Sequence, residues 1–317
     1  MEENKLYRVY SKYLKEKYGE KVYKLPINLP VTCPNRDGCV GYGGCIFCGE
    51  KGAGFENLSN VLSVREQLIK NKDYISKRYK AMKFIAYFQN FTNTYLPLER
   101  FKGYIKEAIM DDIVEIDIST RPDCISEKYL KFLDSVKKEY DKNITVELGL
   151  QTVNYHTLKK INRGHSLAEF IDSVQRIKKY GFNICVHLIL NLPWDDMDDV
   201  IENAKIISAL GIEQVKLHSL YIVEDTIIGK MYKEGRIKLG SKDEYIKRVI
   251  TFLEYLHPDI VVQRLIGRAP KEDTLFVNWD TSWWKIKDEI IKTMKQNNSY
   301  QGKRCNYLNG KALIKFN

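Results

Sequence analysis

Short apolar runs alternate with amphipathic runs along the first 220 residues, and this alternation limits the fold more than any other feature. KLPINLP (24–30) reads as a strand, 63–79 as a helix, MKFIAYFQ (82–89) as a strand and 98–109 as a helix. IVEIDIS (113–119), ITVELGLQ (144–151), GFNICVHLILNLP (181–193, with its exit turn) and EQVKLHSL (213–220) read as further strands. Helices are expected between them at 126–139, 167–179 and 197–209. Strand-then-helix alternation predicts a parallel sheet with helices outside it, and continuous apolar strands suit burial on both faces. The expected fold is α/β: a partial (β/α)6 TIM-like barrel over residues 1–220, with a C-terminal capping extension over 221–317.

In such folds chemistry gathers at the C-terminal ends of the strands. The unusual residues lie there. A cysteine-rich loop follows strand one, QNFTNTY (89–95) follows strand two and STRPD (119–123) follows strand three. Strand four carries Glu147 and Gln151, four apart and so on one side of a strand. Strand five carries His187.

The loop TCPNRDGCVGYGGCIFCGEKGAGF (32–55) holds Cys33, Cys39, Cys45 and Cys48. The polar N-terminus MEENKLYRVY is not a signal peptide, and no apolar run reaches membrane-spanning length, so a cytosolic setting is expected. Thiols there stay reduced, and a local cluster of them reads as metal-binding or catalytic. A zinc site takes four Cys or His ligands, often as paired knuckles, whereas one CxxC is present here. Chance grouping and an iron–sulfur cluster are the other readings, and spacing leaves a 33/45/48 set and a 39/45/48 set both open. Cys124, Cys185 and Cys305 form no second CxxC, and no auxiliary cluster is expected.

TCPNRDG…GGCIFC, with its C-x11-C-x2-C spacing, resembles the radical S-adenosylmethionine (SAM) superfamily. Within it the chain is similar to bacterial TCPNRDG-type proteins related to the Elongator catalytic subunit. IDISTRPD (116–123), VELGLQTVNYHTLKKINRGHS (146–166) and VHLILNLP (186–193) continue the resemblance in family order, and it extends over almost the whole chain. It implies one [4Fe–4S] cluster on Cys33, Cys45 and Cys48, with Cys39 a bystander and SAM on the remaining iron. Phe47 would flank the adenine. Ser119, Thr120 and Arg121 would line the SAM pocket, Glu147 and Gln151 would meet its ribose or amino group, and Arg163 its carboxylate. Gln89 and Asn90 stand where the superfamily holds the SAM amino group, although the usual GGE-type glycines are missing. His187, inside an apolar strand, reads either as a hydrogen-bonded core residue or as a further pocket residue. Leu190-Asn191-Leu192-Pro193-Trp194 departs from the family's glycines around LP. DDMDD (195–199) reads as an acidic helix N-terminus favoured by the helix dipole.

The charge balance of 51 Lys+Arg against 41 Asp+Glu, a net of +10, permits a polyanionic partner. The resemblance implies tRNA, with the C5 side chain of the wobble uridine as target, and a reductant such as flavodoxin or ferredoxin. It brings no acetyltransferase domain, so the acetyl-CoA half of the Elongator reaction is expected to be absent. VVQRLIGRAPKED, FVNWDTSWWKIKDEI and NNSYQGKRCNY offer Arg264, Arg268, Trp279, Trp283 and Trp284 either for base stacking and phosphate contact or as the core of a cap. The runner-up is radical chemistry on a small molecule such as a porphyrin. The alternative of another class is a structural or electron-carrying iron–sulfur or zinc protein.

Overall fold

The computed structural model describes residues 5–50, 52, 57–268 and 273–316. A helix, α1 (Tyr10–Tyr18), precedes β1 (Val22–Asn28). Then come α2 (Val64–Tyr79), β2 (Lys83–Gln89), α3 (Leu98–Glu107), β3 (Ile113–Thr120), α4 (Glu127–Tyr140) and β4 (Asn143–Gln151). Next are α5 (Tyr155–Lys160), α6 (Leu167–Lys178), β5 (Asn183–Ile189), α7 (Met197–Ala209) and β6 (Gln214–His218). The chain closes with β7 (Ile222–Val223), α8 (Ile227–Lys233), α9 (Lys242–Tyr255), β8 (Val261–Arg264), β9 (Thr274–Phe276) and α10 (Trp283–Gln296). The main sheet has the strand order β1-β2-β3-β4-β5-β6-β8, and β7 pairs with β9 in a small antiparallel sheet. This is the expected α/β partial barrel, with one strand more than the sequence predicted: β8 adds a seventh, parallel to β6. No described helix is long and apolar enough to cross a membrane.

The chain forms two compact units. The cysteine unit comprises Tyr13–Leu150 and Ile161–Cys185. The C-terminal unit comprises Met1–Lys12, Gln151–Lys160 and Val186–Asn317.

In the cysteine unit, β1, β2 and β3 run parallel in sequence order, and β3 pairs parallel with β4. Phe84 through Phe88 of β2 are buried without a break, as a strand covered on both faces requires. Pro26 sits within β1, which ends the sheet order, and an edge strand tolerates the missing N–H. Ser63 with Glu66 and Ser166 with Glu169 close capping boxes on α2 and α6. Each cap contributes about 1 kcal/mol by satisfying N–H groups that have no helical partner.

In the C-terminal unit, Asp196 caps α7 through the amides of Asp198 and Asp199. This is the acidic helix N-terminus expected of DDMDD. Asp195, one residue earlier, is buried, and burial pushes its carboxyl up to about 6 against hydrogen bonds from Thr157 and Thr152. α9 packs against α7, with Tyr245, Val249, Phe252 and Leu253 in the core.

Candidate cluster and cofactor site

The loop after β1 is shaped by its own backbone. Arg36 N donates to Cys33 O at 2.8 Å, Gly44 N to Asn35 O at 2.7 Å and Cys48 N to Cys45 O at 2.9 Å. The Asn35 side chain then ties the loop to the NRGH turn. Its Nδ2 donates to Asn162 O at 2.5 Å, and Asn162 Nδ2 returns to Gly44 O at 2.8 Å. Two glycines make room for it. A Cβ at Gly41 would stand 2.4 Å from Asn35 Oδ1, and one at Gly164 would stand 2.8 Å away with a φ of +77°. TCPNRDG and NRGH are therefore two halves of one packed element.

Each thiol of the 33/45/48 set faces a guanidinium. Arg121 Nη1 lies 3.9 Å from Cys33 Sγ, Arg163 Nη1 3.5 Å from Cys45 Sγ and Arg36 Nη2 3.5 Å from Cys48 Sγ. Asn35 Nδ2 adds a contact to Cys45 Sγ at 3.8 Å. Burial pushes the Cys48 thiol up, the nearby Cys45 and Cys33 add to this, and Arg36 pulls it down. Cys39 is apart from this arrangement. It is exposed, and its backbone N–H donates to Asp37 Oδ1 at 3.2 Å. Two buried donors beside the thiols, Arg36 Nε and Arg163 Nε, have no hydrogen-bond partner. Buried donors rarely stay unpaired, so these mark a place for an acceptor-rich group. Three thiols, three guanidinium groups and two unpaired N–H groups fit an anionic iron–sulfur cluster with a carboxylate-bearing ligand.

The other predicted residues in this unit fall into two groups. Arg121 is 2% exposed and forms a fork on Asp123, with Nε–Oδ1 at 2.9 Å and Nη2–Oδ2 at 2.7 Å, while Nη1 donates to Arg163 O at 2.8 Å. Arg163 Nη2 donates to Gly149 O at 2.6 Å. Thr120 Oγ1 pairs with Thr94 Oγ1 at 2.6 Å. Asn90 Nδ2 donates to Asn28 Oδ1 at 3.2 Å, and both Asn90 and Phe91 have positive φ, 84° and 45°. Phe47 and Gln89 are half-buried. Strained backbone at a strand end is common where a ligand is held.

Glu147 and Ser119 belong to a second constellation in the sheet. Ser119 Oγ donates to Glu147 at 3.3 Å, and Lys24 Nζ sits 2.5 Å from Glu147 and 2.6 Å from Asp117, above the Tyr87 ring at 4.6 Å. Burial pushes the Asp117 carboxyl well above its ordinary range; Lys24 opposes this, and Glu115 and Glu147 reinforce it. Glu115 is also buried, but Lys17 and a 2.5 Å hydrogen bond from Thr145 overcome that burial and hold its carboxyl below the usual range. Lys24 and Asp117 were missed by sequence reasoning. Their signal was charge at period two inside apolar strands, E-x-D-x-S on β3.

In the C-terminal unit, Gln151 ends β4 with a φ of +79°. His187 stacks on His218 at 5.3 Å, and Arg264 Nη2 reaches the His218 ring nitrogens at 2.8 and 2.9 Å. Trp279 is part of the packing: its Nε1 donates to Gly240 O at 2.7 Å, and its ring meets Tyr245 and Phe276. Trp284 is 49% exposed with Lys285 over its ring at 5.5 Å, and Arg268 lies over Trp283 at 5.0 Å. Residues 269–272 of the VVQRLIGRAPKED stretch lie outside the described residues.

Residues 29–207 match the Radical SAM superfamily, and residues 212–296 match the Radical_SAM C-terminal domain. The protein YtqA of Bacillus subtilis (strain 168) is 35% identical over 302 residues, 94% of this chain and 92% of its own length. MJ0486 of Methanocaldococcus jannaschii is 33% identical over 307 residues, 95% and 93% of the two chains. The structure of the archaeal Methanocaldococcus infernus Elp3 superposes with a TM-score of 0.65 at 18% identity, covering 88% of this chain and 64% of that one, which is a likeness of fold. Members of the matched superfamily bind a [4Fe–4S] cluster and SAM. By its sequence over more than half its length, the chain belongs to the radical SAM superfamily.

Proposed function

We propose that this radical SAM enzyme modifies tRNA, acting on the C5 side chain of the wobble uridine. Cys33, Cys45 and Cys48 hold the cluster, and the observation that carries this is the pairing of each of the three, and not Cys39, with a guanidinium. Once bound there, the cluster and SAM would supply the radical chemistry for hydrogen-atom abstraction from the substrate. The chain's own residues bind and orient. Arg163 offers its unpaired Nε–H to the SAM carboxylate, Phe47 flanks the adenine, and Gln89, Asn90, Ser119, Thr120 and Glu147 line the pocket. Arg121 acts mainly by shape, since Asp123 already balances its charge. The electron comes from an external reductant such as flavodoxin or ferredoxin.

The substrate half of the proposal rests on two supports. A tRNA uridine(34) acetyltransferase of Methanocaldococcus jannaschii is 27% identical over 171 residues, 52% of this chain but 30% of that protein. The exposed Trp284 with Lys285, and Arg268 over Trp283, give stacking faces beside positive charge, as single-stranded RNA contact requires.

A second reading, a tetrapyrrole as ligand, draws on the Heme chaperone HemW of Lactococcus lactis, 31% identical over 192 residues and 48% of that protein. One experiment separates them. The anaerobically reconstituted enzyme is given dithionite, SAM and either unmodified tRNA or a porphyrin. Release of 5′-deoxyadenosine stimulated by tRNA, with salt-sensitive tRNA binding, supports the proposal. Stimulation by porphyrin alone, with a shifted porphyrin absorbance, replaces it with the second reading.

A further inference from the structure

Arg36 is the N-R-D arginine of the cysteine loop and the guanidinium that faces Cys48. Its guanidinium makes three contacts on the CxxC turn: Nη2 donates to Cys48 O at 2.9 Å and to Gly49 O at 2.5 Å, and lies 3.5 Å from Cys48 Sγ. It rests over the Phe91 ring at 5.0 Å. Gly44 leaves space for its stem, since a Cβ there would stand 3.2 Å from Arg36 Cγ at a φ of +78°. The position is therefore built, with a glycine, an aromatic face and two carbonyls around one side chain.

Two features of this cation are unsatisfied. Its Nε is buried without a hydrogen-bond partner. Among the described residues no carboxylate pairs with it, whereas the Arg121 guanidinium is forked onto Asp123. A half-buried cation and a buried donor are unfavourable alone and favourable beside an anion. A cluster on three thiolates is anionic, and more so after it accepts an electron. Reduction potentials of such clusters follow net charge and hydrogen bonding to sulfur.

We propose that Arg36 is a positioning residue for the cluster. It clamps the Cys45–Cys48 turn to the PNRDG half of the loop, and it sets an uncompensated positive charge beside Cys48 that favours the reduced state. The inference rests on the radical SAM reading of the loop. Shape matters as well as charge: all three contacts come from Nη2, which the rigid guanidinium plane over the Phe91 ring holds in place, whereas the lysine ammonium is a point charge on a flexible stem.

The test compares wild type, Arg36→Met and Arg36→Lys after anaerobic reconstitution. The readouts are iron and sulfide per chain, the potential from an EPR-monitored titration, and the rate of iron loss to a chelator. The expected result is an Arg36→Met cluster whose reduction equilibrium lies at least about tenfold further toward the oxidised form, about 59 mV for a one-electron couple. Arg36→Lys should hold a potential nearer wild type but lose iron faster. An unchanged potential in Arg36→Met overturns the proposal. If Arg36→Met takes up no iron, Arg36→Lys decides: faster iron loss supports the clamp, and a wild-type rate overturns it. Failure of the parent reading looks different, because wild type itself would then assemble no cluster that survives Cys39→Ala.

Discussion

The cysteine unit and the C-terminal unit use charged and aromatic side chains in opposite ways. In the first, chemistry-bearing groups are buried and held by several partners. Arg121 meets Asp123, the Arg163 carbonyl and Cys33, and Asn35 bridges two backbone segments while touching Cys45. In the second, the candidates for substrate contact divide. Arg264 and Trp279 are committed to His218 and Gly240, while Trp284 and Lys285 stand in solvent. The candidate cluster and cofactor residues of the cysteine unit also close its loop, so altering one should disturb both site and shape. Residues that would meet RNA in the other unit are separable from its fold.

The sharpest way to break this contrast is to remove single thiols. Cys45→Ala should abolish cluster assembly and lower SAM cleavage by roughly 100-fold or more, a loss as large as those seen on removing support from metal sites. Cys39→Ala should leave both near wild type. Iron analysis and 5′-deoxyadenosine release after dithionite reduction decide it. A strong effect at Cys39 would mean that the loop uses a different ligand set.

Tryptophans give the matching test on the other side. Trp279→Ala removes an aromatic held by two rings and a hydrogen bond, and should destabilise the fold by about 3 kcal/mol in urea unfolding, the lower end for large-to-small aromatic changes because the ring is half-buried. Trp284→Ala should leave stability alone and weaken tRNA binding by about 1–3 kcal/mol, the worth of one stacked base. If Trp284→Ala binds tRNA as wild type does, the RNA-facing surface is elsewhere.

Glycines test the packing of the loop. Gly164→Ala meets Asn35 Oδ1 and Val40 at a left-handed φ, and should lower apo-protein stability by roughly 1–3 kcal/mol. Gly103→Ala, on α3 with open space around it, should raise stability by about 0.5–1 kcal/mol. Equal thermal shifts for the two would show that Asn35 does not fasten the loop to the NRGH turn.

What could be read from the chain follows the same division. The strand–helix units of β2 to α4, and of α6 to β6, were legible because long apolar runs and capped helices repeat one pattern. β1 forms two residues earlier than expected, because Leu29 and Pro30 already belong to the turn that opens the loop. β8 was missed: VVQR is four residues, and a run that short carries no period to separate strand from loop. The thiols and the arginines in motifs were visible as residue types. Which guanidinium faces which sulfur was not, because that depends on contacts between the loop and turns far along the chain. Lys24 sat inside an apolar strand and looked like its edge, yet it is the cation between two buried carboxylates.

The smallest expected effect concerns acid, and the two units should answer with opposite signs. His165, in the NRGH turn, is pushed down to about 3, first by burial and then by the positive charges of Arg163 and Arg121. The folded protein keeps it neutral, while the unfolded chain takes up a proton below about 6.5. Its contribution is therefore complete above about 6.5 and is lost as pH falls toward 3, at up to about 1.4 kcal/mol per pH unit. Asp195 in the C-terminal unit is pushed up to about 6 by burial. The folded protein holds that proton when the unfolded chain has released it, so its contribution is present below about 3.9 and is lost as pH rises through about 6. Between about pH 4 and 6 the two slopes oppose each other and the native protein should show a shallow net dependence. His165→Asn should remove the acid loss and leave stability rising as pH falls through this window. Asp195→Asn should do the reverse and steepen the loss. Urea unfolding at pH 4.5 to 7, repeated for both variants, measures each slope alone. If both variants keep the native pH dependence, neither group titrates between the folded and unfolded states, and the buried turn that holds His165 beside two guanidinium groups is open to water.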